Sequence, residues 1–358
     1  MKVELPVISD YIKGRGAQIN PTNPFDSVLK SVDPRSHFSD FDHKEIRTIY
    51  IESKAKSIIN QVDSPDIGLT YSLNPYQGCE HGCVYCYARN THNYWGYSGG
   101  LDFETKIVVK TNAAELLDKQ LSRKKWNAAP IMLSGNTDCY QPADKKYEIT
   151  RDILKILWKH KHPVGIVTKN TLILRDLDIL QNMAQHNLVN VAISINTVDD
   201  KLRQKLEPRA SSVATRLALI EKLSRAGIPV TVLAAPIIPG LNDTDIIKLA
   251  RKVSDAGAST LHHIVVRLNG SVKEIFSDWL SRNYDGKKEK VLNKIKALHK
   301  GSLSDSRFVV RMKGDGVIAE MINQQFKVAR NLFMLDNQPF EYNTELYYQS
   351  KLRQGVLF

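Results

Sequence analysis

With 358 residues and 42% hydrophobic content, the chain can bury one large core of barrel size or two ordinary ones, which excludes a disordered or fibrous protein. Its 50 Lys and Arg against 38 Asp and Glu leave a formal charge of +12 and a pI near 9.3, favouring polyanionic partners such as nucleic acid or anionic substrates. Four cysteines in so long a chain, three of them clustered, argue against a disulfide scaffold and for a reducing compartment, with cytoplasm the default.

The N-terminus, M-K-V-E-L-P-V-I-S-D-Y-I-K-G, carries acidic residues and a proline where a secretory signal needs an unbroken apolar core. No segment reaches the apolar length of a membrane span, so no membrane partner is expected. Residues 10–45 are polar and turn-rich, and residues 1–50 read as an arm rather than a domain. Such an arm drapes over a core, or its basic pair Lys13 and Arg15 touches a substrate. Next, Ile46 to Ile51 and Ile67 to Leu73 read as strands, the second delivering the cysteine-rich stretch N-P-Y-Q-G-C-E-H-G-C-V-Y-C-Y-A-R-N at its end. Residues 91–105 form an aromatic, glycine-rich insertion that lines a cavity or packs as a surface loop. Ile107 to Lys110 is a short extra strand, and Asn112 with Glu115 forms a cap for the helix A-A-E-L-L-D-K-Q-L.

From Pro130 the pattern is regular. Strand I-M-L-S, helix 145–161, strand V-G-I-V-T, helix 172–186 and strand Leu188 to Ile195 follow in turn. Helix Ser212 to Ala226, strand Pro229 to Pro236, helix Thr244 to Ala256 and strand Thr260 to Arg267 complete the run, with Gly227 and Gly257 placed as left-handed helix stops. Counted from Ile67 these are six strand–helix units, their apolar strands of the kind buried on both faces of a parallel sheet. Pattern alone does not separate a doubly wound sheet from a partial barrel. Residues 51–270 form this core; 271–358 form a C-terminal helical extension in which Val291, Ile295 and Leu298 share one helix face.

Cys79, Cys83 and Cys86 make C-x3-C-x2-C, short enough for one loop to aim three thiolates at a common point. A closed zinc site wants a fourth ligand, and an iron–sulfur cluster usually takes four cysteines, so one position is left over. His81 could fill it, but its place between two of the cysteines leaves little freedom to turn inward. A structural zinc knuckle is the plainer alternative, in a metal-dependent nucleic-acid-binding protein; an electron-transfer protein is another.

With Tyr85 just before Cys86, the stretch C-x3-C-x-aromatic-C resembles the cluster motif of the radical S-adenosylmethionine enzymes. The resemblance implies that three cysteines hold three irons of a 4Fe-4S cluster and that the vacant iron takes the methionine amine and carboxylate of S-adenosylmethionine. One electron then cleaves the sulfonium, and a 5'-deoxyadenosyl radical abstracts hydrogen from the substrate. It implies as partner an electron donor such as flavodoxin or ferredoxin. It also implies the fold, an α/β partial (β/α)6 TIM-like barrel with N-terminal arm and C-terminal helical extension, the cluster loop following the first strand.

In a parallel α/β barrel the residues just past each strand surround the active site. Here they are polar: S-G-N-T-D-C-Y-Q-P, T-K-N, S-I-N-T, A-A-P-I-I-P-G-L-N-D and R-L-N-G. By the resemblance, Ser134, Gly135, Asn136 and Asp138 lie where a strand-two backbone receives the methionine amine, and Ser194 and Asn196 where ribose hydroxyls are held. Turn or capping roles are the alternative for Asn136, Asp138 and Asn196. Arg209 meets the cofactor's carboxylate or pairs with Glu207 or another acidic neighbour. Lys169 and Arg267 could bind an anionic substrate or face solvent. Together with C-Y-A-R-N and E-P-R, the strand-two loop resembles the radical enzymes grouped with spore photoproduct lyase, the DNA-repair branch, over roughly residues 67–270. That implies DNA repair as one candidate reaction, with modification of RNA, protein or a small molecule as others. In that branch a non-cluster cysteine returns hydrogen to the product radical. Cys139 does not match its flanks position for position, yet its place predicts a site in the reaction cavity with Tyr140 as a second hydrogen source, against the plain reading of a buried inert cysteine.

Overall fold

The apolar runs fold as strands β1 (Ile49–Ser53), β2 (Ile59–Gln61), β3 (Tyr71–Leu73), β4 (Tyr76–Gln77), β5 (Lys106–Lys110), β6 (Ile131–Leu133), β7 (Val164–Thr168), β8 (Val189–Ser194), β9 (Val230–Ile237) and β10 (Thr260–Val265). The computed structural model describes residues 11–25, 46–66, 68–334 and 340–355; residues 1–10 and 26–45 of the arm, and Ile67, with which the first core strand was expected to begin, lie outside the described residues. The main sheet has seven strands in the order β10-β9-β8-β7-β6-β3-β2. Six of them are parallel, each paired with the next in sequence, and the short β2 runs antiparallel to β3 at the edge. This is the α/β arrangement of six strand–helix units that the sequence implied, as a sheet whose outer strands are β2 and β10.

The parallel strands do not bury both faces as expected: they bury the face that the helices cover, while alternate positions such as Met132, Val167, Thr231 and Leu233 on the other face are only half-buried. Leu73, Leu133, Ile166, Val191, Ile193 and Val232 have no exposed surface, each fully buried aliphatic side chain contributing about 1.5–3 kcal/mol. Helix Ile149–Lys159 covers one face with Ile153, Leu154 and Leu157, and helix Val213–Arg225 adds Ile220 and Leu223. Gly227 and Gly257, at φ 73° and 94°, stop their helices in the left-handed region. Among the described residues no helix is long and apolar enough to cross a membrane.

A second sheet, in the order β1-β5-β4, is built from β1 parallel and β4 antiparallel to β5. It carries the cysteine loop, since β4 ends one residue before Gly78.

Several local expectations are corrected. The predicted helix 145–161 is two helices, Pro142–Tyr147 and Ile149–Lys159, because Glu148 at φ 53° turns the chain where Asp144 takes the Thr150 amide at 3.0 Å. Asn112 does not cap its helix with its side chain; it exchanges hydrogen bonds of 2.9 and 3.0 Å with Ala55, tying β1 to the helix start. Arg15 is not a substrate-facing cation. It is 3% exposed and donates to the carbonyls of Glu104 and Ile46. The polar C-terminus forms helix Glu345–Gly355, docked by Tyr347, whose hydroxyl donates to the Leu121 carbonyl at 2.6 Å.

Helices Val310–Lys313 and Val317–Phe333 pack against β10. Across the open side of the sheet, Asp66, from the loop between β2 and β3, accepts from the Val309 amide and the Arg311 guanidinium, and Ser64 accepts from Arg311 at 2.6 Å. Burial opposes its charge, but these donors hold the Asp66 carboxyl below its usual range.

Candidate functional site

The cysteine loop is shaped by glycines and by one buried carboxylate. Gly78 and Gly82 lie at φ 82° and 68°, where a side chain would be strained. A Cβ on Gly82 would fall 2.7 Å from Glu104 Oε2, and one on Gly16 of the arm would fall 1.8 Å from the Gly82 carbonyl oxygen, so arm and loop touch backbone to backbone. Glu104 has no exposed surface; it accepts from Arg89 Nη2, the Gly16 amide at 3.0 Å and the Ala17 amide at 2.8 Å. Arg89, also fully buried, spends its remaining donors on the carbonyls of Cys83, Gly99 and Gly100. The insertion 91–105 is thereby a packed buttress of the cysteine loop.

On this frame Cys79 and Cys83 are 8% and 7% exposed, and Cys86 is half-buried. Burial pushes the Cys83 thiol well up, with Lys169 acting against it, and pushes Cys86 up with Arg89 opposing. Among the described residues no three His, Cys, Asp or Glu converge closely enough to hold a single metal ion. His81 has both ring nitrogens engaged, Nδ1 lying 3.3 Å from Asp138 and Nε2 3.2 Å from the Asn170 amide, while Cys79 also lies against the ring. Asp138 also takes the Thr168 hydroxyl and the Lys169 and Tyr140 amides, so it serves as a staple between the β6 and β7 tips and the cysteine loop.

The strand tips converge on the same loop. The Tyr87 hydroxyl donates to the Gly135 carbonyl, and the Asn136 amide donates to Asn74 at 2.7 Å. Tyr85 donates to Glu207 and accepts from Asn196 Nδ2 at 3.4 Å. Asn196 is 1% exposed and its Oδ1 has no hydrogen-bond partner; its backbone is pinned by Asn242, which donates to the Asn196 carbonyl at 2.7 Å. Ser194 is 3% exposed, with a long 3.4 Å bond from Oγ to Ala235.

Sequence reasoning missed several of these supports. Helix Asp200–Leu206, initiated by the Asp199 side chain, presents Glu207 beneath Tyr85, and Glu207 pairs with Arg216, both fully buried. Arg209 is drawn instead to Glu80 at 3.7 Å, beyond hydrogen-bonding range, and stays about a third exposed. Arg89 and Glu104 carry no local signal, since nothing in their own segments announces a partner fifteen or more residues away. The D/N/T pattern around Thr197, Asp199 and Asp200 was the available clue to the missed helix.

Cys139 and Tyr140 do not face a cavity, contrary to expectation. Both have no exposed surface and belong to the main apolar core. The Ser134 hydroxyl accepts from the Cys139 amide at 2.8 Å, Ser134 standing at φ 85°, and this tight turn points the thiol inward; the Tyr140 hydroxyl donates to Asp176 at 3.1 Å.

The chain is similar to several known proteins in sequence and in fold. Residues 73–253, just over half of the chain, match the family model for the radical SAM superfamily. An uncharacterised protein of Mycobacterium tuberculosis is 36% identical over 234 residues, covering 64% of this chain and 69% of the relative. An uncharacterised protein of Methanocaldococcus jannaschii is 30% identical over 244 residues, covering 68% and 87%. In fold, the chain is similar to spore photoproduct lyase complexed with dinucleoside spore photoproduct, with a TM-score of 0.59, 18% identity and 80% of each chain covered.

Proposed function

We propose, on the premise that this chain belongs to the radical SAM superfamily, that it is an enzyme in which Cys79, Cys83 and Cys86 hold a 4Fe-4S cluster and the polar tips of β6 and β8 hold S-adenosylmethionine. The observation that carries this reading is the meeting of three thiols on one buttressed loop with Tyr85, Gly135 and Asn196. When bound, these cofactors supply reductive cleavage to a 5'-deoxyadenosyl radical that abstracts hydrogen from substrate. The residues fit the group. Two of the thiols are pushed up by burial, and iron would supply the positive charge that stabilises them as thiolates. The three thiols are near enough that Cys86 and Cys79 act electrostatically on Cys83, so one loop would present all three to a common group. The unpartnered Asn196 Oδ1 is an acceptor awaiting a donor such as a ribose hydroxyl.

The protein's own part is positioning. Tyr85, fixed by Glu207 and Arg216, offers its ring beside the third cysteine. Gly135 and Asn136 offer backbone and amide groups at the β6 tip, Ser194 and Asn196 theirs at the β8 tip. Arg209, loosely held, has guanidinium donors free for the cofactor's carboxylate. A small electron donor such as flavodoxin or ferredoxin would deliver the electron in a reducing cytoplasm. The test is anaerobic reconstitution and reduction with dithionite: 5'-deoxyadenosine should form, and stoichiometric zinc without sulfide would overturn the reading in favour of a structural zinc site.

For the substrate we infer a nucleic acid, with repair of damaged DNA as the leading reaction. The +12 charge supports a polyanion, and the fold likeness to a lyase complexed with a dinucleoside photoproduct is consistent with it. Gel shifts at about 50 mM salt, where phosphate contacts are strong, should show binding that falls steeply as salt rises; absence of any binding to DNA or RNA would remove this part and leave the cofactor chemistry intact.

A further inference from the structure

The strand tips leave one guanidinium with nothing to hold. Arg267 lies two residues past β10, half-buried, and among the described residues no carboxylate, carbonyl or hydroxyl accepts a hydrogen bond from it. Its charged or ionisable neighbours are Arg311, Tyr87, Asp66 and His299, and the His299 ring is itself held by the Val266 carbonyl at 2.7 Å. Asp66 is already taken by the Val309 amide and by Arg311. Burial and the nearby Arg311 both work against the charge on Arg267, yet a guanidinium keeps its proton and all five donors. An anion brought by a ligand is what such a group lacks.

Two half-exposed rings stand nearby, Tyr87 beside Arg267 itself and Phe308 beside its neighbour Arg311. Tyr87, 49% exposed, follows Cys86 directly and is fixed by its bond to the Gly135 carbonyl. Phe308, 51% exposed, lies 4.6 Å from the Arg311 guanidinium. The pair of arginines and the pair of rings gather where the segments past β10 meet the β2–β3 loop through Asp66, and Tyr87 joins this patch to the cysteine loop. A lone carboxylate would need only the cation; stacking surfaces beside it are the apparatus for bases attached to a phosphate backbone.

We propose that Arg267 anchors a backbone phosphate of a single-stranded stretch of nucleic acid, whose bases stack on Tyr87 and Phe308 as the strand enters across this patch. This rests on the nucleic-acid reading above and names the surface that would serve it. Phosphate contact and stacking are both tolerant of sequence, so little base preference is expected.

The test uses the full chain with its cluster reconstituted and a fluorescein-labelled single-stranded DNA of about 15 nucleotides, within the span such grooves cover, read by anisotropy across a salt series. Arg267→Ala should weaken binding by about tenfold or more and reduce the slope of log K against log salt by about 0.7, the loss of one phosphate contact on a single strand. Arg267→Lys should restore much of the slope, because the charge is kept. Tyr87→Leu should weaken binding without changing the slope, and Lys119→Ala, exposed on helix Ala113–Leu121, should change neither. Arg267→Gln with wild-type iron content guards against a folding defect. If the wild type binds and both neutral Arg267 variants match it in affinity and slope, the anchor is refuted while the nucleic-acid reading stands. If the wild type binds neither this strand nor duplex DNA nor RNA, both fall. Binding to duplex alone would also refute the single-strand entry.

Discussion

Replacing Glu104 by Gln keeps the side chain's shape and removes the charge that joins arm, insertion and cysteine loop. In the native chain its two oxygens receive three donors, from Arg89, Gly16 and Ala17. An amide brings a single acceptor oxygen and an NH2 group, so at least one donor must face another donor. Arg89 stays in place through the carbonyls of Cys83, Gly99 and Gly100, now as an uncompensated buried cation. Breaking a buried pair in this way costs about 3–5 kcal/mol. At about 2.1 cal/mol/K per residue, 358 residues give an unfolding entropy near 0.75 kcal/mol/K, so the midpoint should fall by roughly 4–7 °C. Thermal unfolding followed by circular dichroism measures that shift. Limited trypsin digestion supplies the second readout: Arg15 is buried in the native chain and should become a cleavage site in the variant. A shift smaller than about 1.5 °C, equivalent to roughly 1 kcal/mol by the same entropy, with Arg15 still protected, would refute the claim that Glu104 holds these three segments together.

Replacing Cys79, Cys83 or Cys86 singly by Ala should strip most iron and sulfide from anaerobically prepared protein, as measured by metal and sulfide analysis. Asn196→Ala removes a neutral hydrogen-bonding group and should weaken S-adenosylmethionine binding by about 0.5–1.5 kcal/mol, roughly 2- to 12-fold, by calorimetry on reconstituted protein. Cys139→Ala, in the core, should cost about 0.5–1.5 kcal/mol, as for a methyl-sized deletion, and leave the 5'-deoxyadenosine yield unchanged; altered labelling of product from solvent would restore its role as hydrogen donor. His162 has no exposed surface; it accepts from the Trp126 indole at 3.0 Å and its Nδ1 lies 3.0 Å from the Pro163 carbonyl, and burial pushes it down to about 4 from 6.5. Because the folded state resists this proton, its contribution is fully present above pH 6.5 and is lost as pH falls towards 4, by roughly 3 kcal/mol at most; urea titrations of wild type and His162→Gln should diverge above that window and approach each other below it.

What could be read from the residues followed from short-range periodicity. The strands from β6 to β10 and the helices between them repeat apolar positions locally, so their existence and order were legible, and the cysteine spacing with Tyr85 carried the resemblance to the family that residues 73–253 match. The second sheet was not, because β1 and β5 pair across more than fifty residues and neither strand carries a mark of the other. Side-chain direction in irregular loops was equally hidden. Cys139 follows the same strand as Asn136, three residues further on, yet the turn at Ser134 sends the thiol into the core. Arg15 looked like a surface cation in a polar arm, and only the carbonyls of Glu104 and Ile46, distant in sequence, account for its burial.

The backbone contact between Gly16 and Gly82 also bears on how such proteins can be recombined. A boundary at residue 51, or one at the limits of the matched region 73–253, would look like a natural cut for transplanting the barrel into another chain. It would leave Glu104 with a single partner and uncover the underside of the cysteine loop. The portable module is discontinuous: residues 15–17 must travel with 82–104, and a chimera that takes the arm from one parent and the loop from another must keep glycine on both sides of the contact.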